Sequence, residues 1–463
     1  MFKSVKNILR VLFFSLICLN GKSQIKSVGI PNITNFSRQN YHASTQNWAA
    51  IQDKRGIMYF GNNDGLLEFD GVNWRLIQMP NSSVVRSIAA DKLGNIYVGA
   101  FGEFGLLKAT PNGKLNYTSF VDLIPGDITN FGDIWKINET DNGIIFQSFT
   151  EIFLYQDGKI KVIAQKRDFH FSFFINNEFY ITERNKGLLK LRDEKLISIK
   201  GGDIFNNDIW TMLPSDNNNI LIGTSNHGLF ILENEKVQKW DIPANNFLKQ
   251  NQIYCGAKVK DHFAIGTILN GLIIANSDGE IIQHLNLNNG LQNNTILSLC
   301  NDRSGNLWLG LDNGIDYIEL NSPISYTSRS ENIGTGYCAV IHNNLLYLGT
   351  NQGLFTKKFS TVGEGNTEAF KIIAGTEGQV WSLQVLNGQL LCGHNLGTFA
   401  INEREAQPIN DEPGLWTFVQ LEDEPDYAIV GIFNGILLFH FEAGQWKFQN
   451  KIKGLSVSSR FLS

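Results

Sequence analysis

The sequence predicts an all-β chain built from repeats, and three observations carry that expectation. Glycine (44 residues) and asparagine (51) together fill 95 of the 463 positions, and both tolerate the positive φ that tight turns select. Between the turns lie aromatic and β-branched runs, drawn from 32 Phe, 12 Tyr and 9 Trp, which read as strands. A similar unit returns about every 41 residues, the period of a four-stranded propeller blade. This turn density excludes a helical bundle. A 43% hydrophobic content over 463 residues is enough for two or three domain cores. Charged residues make up 18%, the net charge is −5 and the pI is near 5.9, which leaves no basic face for nucleic acid.

The repeat is plain in WAAIQDKRGIMYFGNNDGLLEFDGVNW (48–74) and ILSLCNDRSGNLWLGLDNGIDYI (296–318). The glycine opening the third strand serves as a ruler at Gly65, Gly105, Gly187, Gly228, Gly271, Gly314, Gly353, Gly397 and Gly435, with Glu151 filling one gap. Strand one ends at an Asp-x-x-Gly turn, as at Asp53, Asp91 and Asp302. There the carboxylate can accept from the backbone two residues on while glycine supplies positive φ. A second turn, Asp70-Gly71 in the first unit, leads to an outer strand carrying Trp74. Single blades cannot bury both faces, so neighbours must stack and the ring must close.

Residues 1–23 stand apart. Lys3, Lys6 and Arg10 precede a nine-residue apolar run, Val11 to Leu19, and Gly21-Lys22-Ser23 offers small residues for cleavage. That is the pattern of a secretory signal peptide, too short to span a bilayer, so the mature chain is expected to be exported. Cys255, Cys300, Cys338 and Cys392 lie 38 to 54 residues apart, without CxxC or Cys/His spacing. They read as small hydrophobes rather than a disulfide framework or a zinc site.

The stretch from QNWAAIQDKRGIMYFGNNDGLLEFDGVNW through VVRSIAADKLGNIYVGAFGEFG closely resembles the two-component-regulator propeller repeat of bacterial sensors. The resemblance runs over residues 24 to 463. It implies an exported sensor with two seven-bladed propellers, followed by a triple-tyrosine module, a membrane helix and a LuxR-type or histidine-kinase output. None of these later parts is read in the 463 residues, so the chain is expected to be truncated. The expected organisation is a signal peptide (1–23), a first seven-bladed propeller (24–325) and a partial second ring (326–463). About ten four-stranded blades are expected in all. A single ten-bladed ring is the rival arrangement, disfavoured because rings usually have four to eight blades.

Enzyme signatures are absent: no G-x-S-x-G elbow, H-E-x-x-H, P-loop or acidic calcium loop is found. Gly334 to Ala339 matches G-x-G-x-x-A by letter but leads from a linker into a strand. Eight scattered histidines show no metal spacing, and no cofactor is expected. A glycosidase- or lyase-like carboxylate pair across a ring stays open.

Candidate binding residues come in two sets. An aromatic stands 16 to 19 residues before the ruler at Trp48, Trp135, Trp210, Tyr254, Tyr337, Trp381 and Trp416. These are either platforms for sugar faces around the mouth or wedges between blades. The loop before the ruler carries Asp64, Glu103, His227, Asn270, Asp312, Gln352, Asn395 and Asn434, either a specificity surface or unconstrained turn residues. Arg86 stands where other repeats place an aromatic. It is expected either to pair with Glu103 or to hold a carboxylate of an acidic ligand. The expected function is ligand sensing outside the cytoplasm, with a glycan or other small extracytoplasmic ligand and a possible homodimer in the full regulator. A secreted enzyme on polysaccharide and a protein-interaction scaffold remain alternatives.

Overall fold

The computed structural model describes residue 25 and residues 29–109, 115–126, 128–326, 333–359 and 369–461. The signal-peptide expectation (1–23) lies outside the described residues. The chain divides into two compact units, 1–327 and 328–463. Ten four-stranded antiparallel sheets are formed, seven in the first unit and three in the second. Among the described residues no helix is long and apolar enough to cross a membrane.

Blade 1 is typical: Asn47–Gln52, Met58–Asn62, Gly65–Phe69 and Trp74–Ile77 pair in sequence order. The inner strands of blades 2 to 6 are Val85–Ala90, Lys136–Thr140, Phe169–Ile175, Ile209–Pro214 and Ile253–Val259. The Asp-x-x-Gly turns are scaffold. Asp53 Oδ1 accepts from the N–H of Arg55 (2.8 Å) and Ile57 (3.0 Å), and Asp91 and Asp302 do the same in their blades.

Blade 7 departs from sequence order. Ile296–Asn301, Leu307–Leu311 and Ile315–Glu319 supply three strands, and Asn32–Phe36, from the other end of the unit, supplies the fourth. Its inner strand in turn lies against that of blade 1, where Ser298 Oγ donates to Asn47 O at 3.2 Å. The circle therefore closes at seven, and a single ring of ten is excluded. Phe36 seals the joint: it stacks on Trp308 (5.7 Å, 17°) and meets Trp74 at 5.4 Å, while Phe69 stacks on Trp74 at 4.4 Å. Both termini of the ring thus share one aromatic cluster, so the closing strand is held by packing as well as by its ladder.

The second unit holds three consecutive blades with inner strands Gly336–His342, Val380–Leu386 and Thr417–Gln420. Beyond the last of them, the N–H of Ser459 donates to Ile432 O at 3.0 Å, and a Cβ on Gly431 would strike Ser459. Leu415 docks on blade 9 in the same way, through His394 O and Gly393. Residues 454–461 thus bring a strand head onto blade 10, where the repeat rhythm places an eleventh unit.

A mouth built from inner-strand bulges

One backbone feature positions the candidate site. In blades 1, 2, 4, 5, 6 and 7 the ladder between strands one and two slips at the head of the inner strand. In blade 1, for example, Asn47 pairs with Asn62 and Ala49 with Gly61, so Trp48 has no partner. Such a bulge re-aims a side chain away from the sheet. The released residues are Trp48, Arg86, His170 with Phe171, Trp210, Tyr254 and Leu297. Blade 3 sets Trp135 at the same place, its N–H on Gln147 O at 2.9 Å.

These side chains meet one another around the inner edge of the ring. The Arg86 guanidinium lies over Trp48 (4.2 Å) and over Trp135 (4.8 Å), whose rings are 6.1 Å apart edge-to-face. Trp135 stacks on Phe149 (5.2 Å) and approaches Phe171 (5.8 Å). His170 and Phe171 contact Trp210 at 5.1 and 5.2 Å, and Trp210 meets Tyr254 at 4.6 Å. The belt therefore runs unbroken from blade 1 to blade 6. Trp48 donates its indole N–H to Asn63 (2.7 Å), which is tied through Gln46 to Asp312 of blade 7.

Arg86 does not pair with Glu103, contrary to one sequence expectation. Its Nε donates to Asp133 Oδ1 at 3.0 Å, and its Nη1 is buried with no partner. Glu103 is buried and accepts from Tyr117 (2.9 Å) and Ser119 (2.7 Å) within its own blade. The cause is a ruler error. Ala100 pairs with Glu103, as Asn62 pairs with Gly65, so Glu103 itself occupies the ruler position and Gly105 lies two residues further on. A side chain there points into the blade, where Ser119 and Tyr117 receive it. Glu151 holds the same position in blade 3, its carboxylate bonded to Ser148 and Thr150.

The other loop residues divide. Asn270, Asn395 and Asn434 accept from Asn286, Gln379 and Lys451 and so brace the fold. Asp64 and Gln352 bond through their backbone N–H to Asn62 and Thr350. His227 is largely exposed, with Nδ1 2.8 Å from Asp208 Oδ2, two residues before Trp210.

Burial sets the electrostatics of the belt. It pushes His170 down to about 4, with Lys136 adding to the effect, so the ring is neutral at pH 7. Its Nδ1 lies 3.0 Å from Ile209 O, a carbonyl that can only accept, which places the proton on Nδ1 and leaves Nε2 as an acceptor. Burial raises the Tyr254 phenol, while the Arg86 charge pulls it down, so blades 2 and 6 feel each other across the channel. Lys136 is pushed down by burial and acts in turn on Cys255, whose thiol burial raises to about 12. The four described cysteines are free thiols.

Sequence reasoning missed His170, Phe171, Phe149, Lys136 and Asp133. The ruler held the signal for the first: His170 stands 17 residues before Gly187, inside the spacing that selected the aromatics. In the second unit Tyr337, Trp381 and Trp416 form a continuous stack (4.9 and 4.8 Å), with Arg460 over Trp416 at 5.1 Å.

Residues 290–313 match the family model described as two component regulator propeller, so blade 7 carries that family's repeat, as the resemblance predicts. Among curated proteins none matches the sequence. Solved structures share the fold. The extracellular domain of a protein described as the hybrid two component system BT3049 of B. thetaiotaomicron is 18% identical, with a TM-score of 0.61 over 92% of this chain and 61% of that one. The extracellular domain of BT4673 from the same organism is 15% identical, with a TM-score of 0.51 over 92% and 61%. A streptogramin B lyase is also 15% identical, with a TM-score of 0.51 over 62% of this chain and 97% of its own. The chain thus spans about three fifths of the two extracellular domains it matches.

Proposed function

We propose that the chain is the extracytoplasmic ligand-sensing propeller region of a membrane-bound signal-transduction or transcription regulator, with a glycan as ligand. The observation that carries this reading is the repeated bulge. One backbone device delivers a different side chain from each blade onto a common channel, while the blades themselves repeat. Likeness in fold to extracellular domains of two-component systems supports the location outside the cytoplasm, as does the charged and apolar pattern of residues 1–23. The membrane helix and output domain belong to the regulator beyond these residues, and reading the gene past codon 463 tests that part. Signalling then requires that the ligand bind one state of a dimeric output better than the other.

Calorimetric titration with an oligosaccharide panel tests the binding. Trp210→Ala, which removes the ring joining His170 and Tyr254, is expected to weaken binding at least tenfold with the fold retained. Equal binding by the variant overturns the aromatic mouth as the site and favours a protein-interaction scaffold. A second, enzymatic reading draws on His227, whose Nδ1 is held by Asp208 while Nε2 stands exposed near Trp210. Turnover of a polysaccharide that disappears in His227→Ala would establish it; no turnover leaves the chain a binder.

A further inference from the structure

The position after the bulge is small in nearly every blade and faces a glycine on strand two. The pairs are Ala49–Gly61, Ser87–Gly99, Thr211–Gly223, Cys255–Gly266 and Ser298–Gly310, and Cys338–Gly349, Ser382–Gly393 and Thr417–Gly431 in the second unit. The reason is close approach. A Cβ on Gly61 would lie 2.7 Å from Val85 O, and one on Gly266 would lie 2.8 Å from Ile296, in each case on the next blade. Blade 3 breaks this rule on both strands with Lys136 opposite Gln147. Gln147 fills the packing role, fully buried, and accepts from the N–H of Ser172 in blade 4 at 3.2 Å. Packing of the blades therefore does not require Lys136.

The Lys136 ammonium lies over Phe171 (4.7 Å) and Phe173 (5.7 Å). No carboxylate pairs with it among the described residues. Burial disfavours its charge, so an anion brought to it gains the interaction the fold withholds. Arg86 is its companion. Half its fork is held by Asp133, and Nη1 is buried without an acceptor. The two cations face consecutive residues of blade 6: Arg86 acts on Tyr254 and Lys136 on Cys255. They therefore sit at successive levels of one channel, bordered by His170, Phe171 and Trp210.

We propose that Arg86 and Lys136 form an anion site in the channel of the seven-bladed ring, and that its ligand is an acidic saccharide. The ligand carboxylate is held by the two cations while the neighbouring aromatic rings contact the apolar faces of the sugar. This deepens the sensing reading and rests on it.

The test is calorimetric titration of the full chain and of Lys136→Met with trigalacturonate and, as the neutral counterpart, cellotriose. Thermal melts check that both chains are folded. Trigalacturonate is expected to bind the parent and to bind Lys136→Met about 10- to 100-fold more weakly, the loss of one charge-assisted bond. Lys136→Arg is expected to keep the affinity within about threefold, because the charge remains. Trigalacturonate binding undiminished in Lys136→Met overturns the anion site. Binding of cellotriose alone, equal in both chains, also overturns it but leaves the sensing reading standing. Binding of neither sugar overturns the acidic-ligand assignment.

Discussion

Blades 1 to 3 and blades 8 to 10 use the same bulge and fill it differently. In the first group a cation is wedged between two indoles, Trp48–Arg86–Trp135, and a second cation, Lys136, follows directly. In the second the occupants are Tyr337, Trp381 and Trp416, stacked ring on ring. An arginine does recur at Arg460, where the chain docks on blade 10, but it lies over a single indole. The contrast separates scaffold from specificity. The slipped register is needed to start every inner strand, so it repeats, whereas the released side chain has no duty in the ladder and can vary.

Four changes would break or sharpen the comparison, the largest first. Trp308→Ala removes a buried ring from the cluster that holds the closing strand to blade 7. It is expected to cost about 3–5 kcal/mol, read as a lowered denaturant midpoint of the first unit. A cost under about 1 kcal/mol would show that the ladder alone closes the circle. Arg86→Met should come next, at about 1–3 kcal/mol, because it leaves Asp133 unpaired as well as removing the stacked cation. Arg460→Met, which loses one cation–π contact, should cost no more than about 1 kcal/mol. Equal effects in the two variants would erase the distinction between the regions.

A pH difference follows from His170. The folded ring holds it neutral down to about pH 4, whereas the unfolded chain protonates near 6.5. The unfolded state therefore binds more protons between these values, so stability falls as pH drops from about 6.5 toward 4. His170→Gln should flatten that part of the curve in melting temperatures measured across the window. A parallel fall in the variant would assign the acid sensitivity to other groups. The smallest effect is expected from Lys92→Ala. Its partner Asp141 is 3.8 Å away and both side chains are solvated, so the change should stay within about 0.5 kcal/mol.

Much of the site was legible in the sequence, and its gaps have particular causes. Trp48, Arg86, Trp135, Trp210 and Tyr254 were found because equal spacing from a turn places residues at the same height on equivalent strands. Glu103 was misplaced because blade 2 carries a glycine two residues beyond the ruler position, and letters alone do not reveal which residue opens the ladder. His170 and Lys136 were passed over because the search was for aromatics, although both obey the same spacing rule.

What the sequence by itself determined is local and periodic: the 41-residue unit, the Asp-x-x-Gly and Asp-Gly turns and the positions that recur at the head of each inner strand. Hydrogen bonds between residues two to four apart and the φ preferences of glycine settle these without reference to the rest of the chain. Only the tertiary structure decided that Asn32–Phe36 completes blade 7, that Arg86 chooses Asp133 over Glu103, and that Lys136 shares a channel with Cys255. Each of these joins residues separated by 47 to 287 positions along the chain. Which of them meet is fixed by how the blades stack and by the count at which the ring closes, and no single repeat contains that information.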